Sequence, residues 1–177
     1  MLLGALIPGG MAAPAAAGPV NGLGAMGGLA AHSFRLPQDV GDDLIFSGYG
    51  PSVWLDAQFV VNDRWSLVPV LQASLEHTTD MFHVPGNTEG TVFTYSALFQ
   101  VRFWLGDYYL SPHIGVYQEA FSSYKGQLFQ YGSEGGGASV GWEGGEGWIA
   151  NAAVDWETPL VNHQIWALRA QVGYRWR

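Results

Sequence analysis

Ile165-Trp166-Ala167-Leu168-Arg169-Ala170-Gln171-Val172-Gly173-Tyr174-Arg175-Trp176 decides the fold. Trp166, Leu168, Ala170, Val172, Tyr174 and Trp176 share one phase, while Arg169, Gln171, Gly173 and Arg175 share the other. This two-residue period belongs to a β-strand whose one face lies in hydrocarbon. The same period recurs over residues 47–61, 65–77, 92–105, 109–121, 135–143 and 148–157. With 165–176 that makes seven segments. Residues 18–33 supply a weaker eighth, with Leu23, Ala25, Leu29 and Ala31 in phase. A closed antiparallel barrel of one bacterial chain takes an even number of strands, so the expectation is eight.

The connections alternate in length. Residues 62–64, 106–108 and 144–147 are tight turns, 34–46, 78–91 and 122–134 are long, and 158–164 is intermediate. Short turns on one side and long loops on the other are the pattern of a transmembrane β-barrel, with both chain ends on the turn side. The fold class is therefore all-β, an eight-stranded antiparallel up-and-down transmembrane barrel over 18–177.

Composition agrees. Charged residues make up 12% of the 177-residue chain, against the roughly 25–35% that keeps a soluble surface dispersed. No run supplies the roughly 20 apolar residues of a spanning helix. A net charge of -8, with Lys125 the single lysine, leaves no basic face for nucleic acid. The absence of cysteine is compatible with an envelope protein and decides nothing alone. Residues 1–17 combine Leu2-Leu3-Gly4-Ala5-Leu6-Ile7 with Ala15-Ala16-Ala17, an apolar core and small-residue cleavage site without a basic start. They read as a signal peptide, whole or truncated.

The charges test the phasing, which was set by apolar residues alone. Asp56, Glu76, Arg102, Glu119, Glu143, Asp155, Glu157, Arg169 and Arg175 all fall on the polar phase. A cationic side chain at the membrane midplane costs about 2–4 kcal/mol, so this segregation carries weight. Asp56, Glu76, Arg102, Glu119, Asp155 and Arg169 are expected to pair as an ion network plugging a narrow lumen. Aromatic residues sort to strand ends as two interfacial girdles: Trp65, Phe103, Tyr109, Trp148, Tyr174 and Trp176 at the turn end, Tyr49, Tyr95, Trp156 and Trp166 at the loop end.

These features resemble the small eight-stranded outer-membrane barrels of the OmpA/OmpX type. The terminal Gly173-Tyr174-Arg175-Trp176 is similar to the Gly-aromatic-x-aromatic ending by which the barrel assembly machinery recognises its substrates, although Arg177 follows it here. The resemblance implies an integral protein of a Gram-negative outer membrane, in contact with lipopolysaccharide. It implies a structural or surface-interaction role, with 78–91 and 122–134 as loops for an extracellular partner. No cofactor or metal site is expected, since His32, His77, His83 and His163 lack paired ligand spacing and read as rim residues.

Two other readings compete. A soluble lipocalin-like binder would turn the apolar phase inward around a lipophilic ligand; its test is which of Leu71 and Gln72 faces out. Ser111, His113 and Glu119 share the inward phase and have the residue types of a lipid-hydrolysing triad. Lipid A deacylases are barrels with Ser, His and Glu, but their His-x-Ser order is reversed here as Ser111-Pro112-His113, so no catalytic role is carried across. Finally, residues 124–131 combine bulky apolar side chains with one charge, either as a contact loop or as strand continuing past the membrane.

Overall fold

A computed structural model describes residues 18–36, 44–79, 89–123, 128–159 and 164–177. It contains eight strands: β1 (Gly22–Leu36), β2 (Leu44–Val60), β3 (Trp65–Thr79), β4 (Glu89–Leu105), β5 (Tyr108–Ser123), β6 (Leu128–Glu143), β7 (Trp148–Pro159) and β8 (Gln164–Trp176). Each pairs antiparallel with its sequence neighbour, and β1 pairs with β8, so the sheet closes. Closure removes both sheet edges over the paired length, which is what lets backbone polar groups cross a bilayer. The proposed signal peptide and the cleavage site fall outside the described residues.

The tight turns have local causes. Asn62 Oδ1 accepts from the backbone N–H groups of Arg64 (2.9 Å) and Trp65 (3.0 Å), fixing the β2–β3 turn. Gly106 and Gly147 take φ of 69° and 95°, the left-handed region that glycine enters without a Cβ clash. In the β6–β7 turn, Gly147 N–H donates to Gly144 O at 3.0 Å.

Strands extend beyond the sequence limits at the loop end. β1 and β2 remain paired to Leu36↔Leu44, and β5 and β6 to Ser122↔Leu128, inside segments expected to be loops. Residues 128–134 are therefore strand. Outward positions there are polar: Ser33, Arg35, Ser47, His77, Ser122, Gln130, Glu134 and Thr158 are exposed. Ser33, Ser47 and His77 end segments that the sequence reads as strand; beyond them, at Arg35, Ser122, Gln130, Glu134 and Thr158, no apolar face signals a strand, and ladder hydrogen bonds to neighbours already paired hold the chain.

Below that polar collar the exterior is apolar. Leu23, Leu29, Val53, Leu55, Phe59, Leu67, Leu71, Ile114, Val116, Val140, Leu168 and Val172 are all exposed. Leu71 is 61% exposed and Gln72 5%. The inverted, lipocalin-like orientation is thus not the one this chain adopts.

Candidate functional site: lumen, girdles and outer wall

All nine strand charges on the polar phase are buried inside the barrel. They form two groups. Near the turn end, Asp56 accepts from Arg102 Nη2 at 2.6 Å and from Arg175 Nη1 at 2.7 Å, and Arg175 Nε donates to Glu143 at 3.0 Å. Arg102 also donates to Gln58 Oε1 at 2.6 Å, and its guanidinium carbon lies 4.5 Å from the centre of the Tyr109 ring. Two acids here meet two arginines.

The second group lies toward the loop end and is acidic. Asp155 is paired with Arg169, lies 2.7 Å from His113 Nε2 and accepts from Tyr117 OH at 3.0 Å. Arg169 contacts His32 Nε2 at 3.1 Å, His32 pairs with Glu76, and Ser74 donates to Glu76 at 2.6 Å. Ser133 donates to Glu157 at 2.9 Å, and Glu119 is fully buried nearby. Thus the six expected lumen residues divide between two groups, Asp56 and Arg102 in one, Glu76, Glu119, Asp155 and Arg169 in the other.

His32, Glu143, Glu157 and Arg175 complete these groups. Of them, Glu143, Glu157 and Arg175 were readable from their phase. His32 was expected at the rim, but it is 2% exposed inside the lumen and stacks on Phe34 at 5.5 Å. The glycine- and alanine-rich β1 carried too weak a pattern to phase it. His77 is exposed on β3, while His83 and His163 fall outside the described residues.

The interior is also partly hydrocarbon. Met26, Trp54, Val68, Val70, Leu98, Tyr117 and Ile149 form a buried apolar cluster. Glycines on β6 make room for bulk on β5. A Cβ on Gly137 would come within 2.6 Å of His113 Nε2, and one on Gly141 within 2.1 Å of the Tyr109 ring.

Tyr109 corrects one girdle assignment. It is 3% exposed and points into the lumen over Gly141, whereas its neighbour Tyr108 is 64% exposed and takes the lipid-facing place. The other aromatic residues assigned to the girdles face outward. Trp65 lies 4.8 Å from Phe103, Trp148 6.0 Å from Tyr174 and Tyr174 5.7 Å from Trp176 at the turn end, while Trp156 lies 6.2 Å from Trp166 at the loop end. Of the residues with an assembly-signal resemblance, Tyr174 and Trp176 face outward on β8 and Gly173 packs on the β1 backbone at Ala25.

Ser111, His113 and Glu119 are all inward, yet they do not assemble. His113 Nε2 is engaged by Asp155, and Ser111 Oγ makes no hydrogen bond among the described residues. A general base must lie within hydrogen-bond reach of its nucleophile.

The closed eight-stranded barrel superposes on a class of solved structures. The attachment invasion locus protein Ail of Yersinia pestis, solved in complex with the heparin analogue sucrose octasulfate, superposes with a TM-score of 0.59 at 17% identity, covering 89% of this chain and 100% of that one. The fold is that of the small eight-stranded outer-membrane barrels. OprG of Pseudomonas aeruginosa matches at TM-score 0.56 and 13% identity, over 90% of this chain and 98% of that one. Neisserial surface protein A matches at 0.51 and 15%, over 86% and 97%. No family model matches the sequence, and no curated protein does. The apolar exterior and this outer-membrane barrel fold make the chain an integral outer-membrane protein, spanning with strands.

Proposed function

We propose that this barrel is an anchor that presents an acidic surface outside the cell, and that its role is surface interaction rather than transport. The observation that carries the reading is the contrast between a filled interior and a polar collar. An eight-stranded lumen is just wide enough for side chains, and here Trp54, Arg102, Arg175, Gln58, Gln100, Glu76, Glu119 and Glu157 lie inside with under 2% exposure. Function then falls to what stands above the membrane.

By sequence, the segments that join the strands at that end and the strand ends beside them include Asp39, Asp42, Asp43, Asp80, Glu89 and Glu134 against Arg35 and Lys125; of these, Glu134 and Arg35 are exposed among the described residues. A sulfated polyanion of the kind seen bound to Ail would meet like charge. The reading is instead a basic partner, drawn by long-range attraction that salt weakens. Lipopolysaccharide surrounds the band, and the barrel assembly machinery inserts it. The experiment places the nanodisc-embedded protein on polylysine-coated and heparin-coated sensors. Salt-sensitive retention on polylysine alone is expected; equal or stronger retention on heparin overturns the choice of partner.

A further inference from the structure

The acidic group at the loop end of the lumen holds more negative charge than its cations can offset. Glu76 of β3, Glu119 of β5, and Asp155 and Glu157 of β7 are buried together there. The titratable or charged groups facing them are His32 of β1, His113 and Tyr117 of β5, and Arg169 of β8. The remaining strands contribute Gly48 of β2, Thr94 of β4 and Ser133 of β6, all buried and uncharged. Even with both histidines protonated, four carboxylates would meet three cations among the described residues.

Those cations are committed elsewhere. Arg169 and His113 sit on Asp155, and His32 sits on Glu76. Glu119 and Glu157 are left to each other, their carboxyl groups within mutual hydrogen-bond reach. Ser133 donates to Glu157 Oε2 at 2.9 Å, but no donor among the described residues meets Glu157 Oε1 or either oxygen of the fully buried Glu119. Apolar layers enclose the pair. Phe34, Val92, Phe121 and Ile165 are buried on its loop side, with the Phe34 and Phe121 rings 5.3 Å apart, and the cluster containing Trp54, Leu98 and Tyr117 lies on its turn side.

An ionised carboxylate only accepts hydrogen bonds, and two in contact without a cation do not both stay ionised. A proton turns one of them into a donor and removes the repulsion. We propose that Glu119 and Glu157 form a proton-binding site, and that the proton shared between them latches the loop end of the barrel. When hydroxide takes that proton, two neighbouring carboxylates stand beneath the phenylalanine layer, and the ends of β5 and β7 loosen. The inference goes beyond the surface-interaction reading and does not depend on which partner the loops meet.

The test uses the full chain in nanodiscs, isotope-labelled at its glutamate carboxyls. At about pH 6, above the range in which an exposed glutamate binds a proton, infrared spectra are expected to show the C=O band of one protonated glutamate. Glu157→Gln and Glu119→Gln each remove that band, because the amide replaces the protonated partner, whereas Glu143→Gln in the other cluster keeps it. Urea unfolding supplies a second readout. The folded wild type holds one proton that the unfolded chain releases, so its unfolding constant relative to that of Glu157→Gln should rise about tenfold per pH unit from about pH 6 until the proton leaves. His32 and His113 are present in both proteins, so their titration largely cancels in the ratio. In mild alkali, amide exchange in the upper halves of β5 and β7 should be faster in the wild type than in Glu157→Gln. No protonated glutamate in the wild type, a band that survives Glu157→Gln, or a ratio flat with pH overturns the proton site. So does wild-type stability that follows sodium or calcium concentration and loses that dependence in Glu157→Gln, because an ion then fills the site. Equal exchange in the two proteins overturns the latch.

Discussion

Asp56→Asn is the most direct test of how the lumen is held. Asp56 accepts three bonds from two guanidiniums, at 2.6, 2.7 and 3.2 Å, and a fourth from Trp54 Nε1 at 3.2 Å. Asparagine keeps one acceptor oxygen and turns an amide donor toward a cation. Two charge-assisted bonds are lost, each contributing about 1.5–3 kcal/mol. Glu143 then remains the one carboxylate of this cluster, paired with Arg175, and Arg102 keeps only Gln58. Removing one partner of a buried pair costs about 3–5 kcal/mol by a separate route, because the remaining charge stays uncompensated. The two routes agree, and a loss of about 3–5 kcal/mol is expected. Urea unfolding of the lipid-reconstituted protein, read by tryptophan fluorescence and by gel mobility without boiling, measures it. Glu143→Gln is the internal scale: it touches only Arg175 Nε at 3.0 Å, so it should cost about 1.5–3 kcal/mol, as one charged bond does. Adding Arg102→Met to Asp56→Asn removes one stranded cation and should recover part of the loss. A cost for Asp56→Asn under about 1 kcal/mol, the worth of an exposed pair, would mean that water reaches this cluster, and the reasoning would fail.

Other perturbations probe the remaining claims. Gly141→Ala places a Cβ 2.1 Å from the Tyr109 ring and should cost about 1–3 kcal/mol in overpacking; in a Tyr109→Ala background the same change should cost nothing, and additive losses in the two-mutant cycle would refute the pairing of ring with glycine. Leu71→Arg should destabilise the inserted barrel by about 2–4 kcal/mol, measured by urea unfolding in vesicles. Leu71→Cys should react with a membrane-partitioning maleimide and Gln72→Cys with neither that reagent nor an aqueous one, since Gln72 lies within the filled lumen. His113→Ala should leave the lipid A of expressing cells unchanged by mass spectrometry, while lowering stability through the lost 2.7 Å contact with Asp155.

The barrel was legible wherever one strand face is apolar and the other is not. Periodicity over β8 and β3, the exclusion of charge from the outer phase and the alternating connection lengths together specify strand number and orientation. Tyr109 shows where that reading stops. Tyr108 and Tyr109 stand together after a glycine turn, and each offers an aromatic ring to a girdle. The phase of Leu110, Ile114 and Val116 already required Tyr109 to face inward, but a buried ring needs space, and that space comes from Gly141 on a different strand. The upper strand ends were illegible for another reason. Outside the bilayer neither face of a strand must be apolar, so residues 128–134 carry no alternation; the sequence leaves contact loop and continuing strand both open for 124–131, and pairing with β5 decides for strand over 128–134. Arg175 reaches Glu143 and Asp56 across separations of 32 and 119 residues. Its inward phase was visible; its choice of partners depends on barrel diameter and stagger, which no local pattern encodes.

The lumen also contains a layer that an apolar-out, polar-in rule hides. On β3, Leu67, Pro69 and Leu71 face lipid while Val68 and Val70 face inward, so that strand is apolar on both phases through its turn-side half. Trp54 joins this layer to the ion cluster, its ring among Met26, Val70 and Leu98 and its Nε1 donating to Asp56 at 3.2 Å. Two substitutions separate the contributions. Trp54→Phe keeps most of the ring volume and loses the bond, a cost of about 1.5–3 kcal/mol for a bond to a charged acceptor. Trp54→Ala loses the packing as well, and a buried large-to-small change of this kind costs about 3–5 kcal/mol. A clear gap between the two in urea unfolding means that the interior is held as a packed core with ion pairs set into it. Equal losses would mean that packing adds nothing, and that the barrel is held from within by its charges alone.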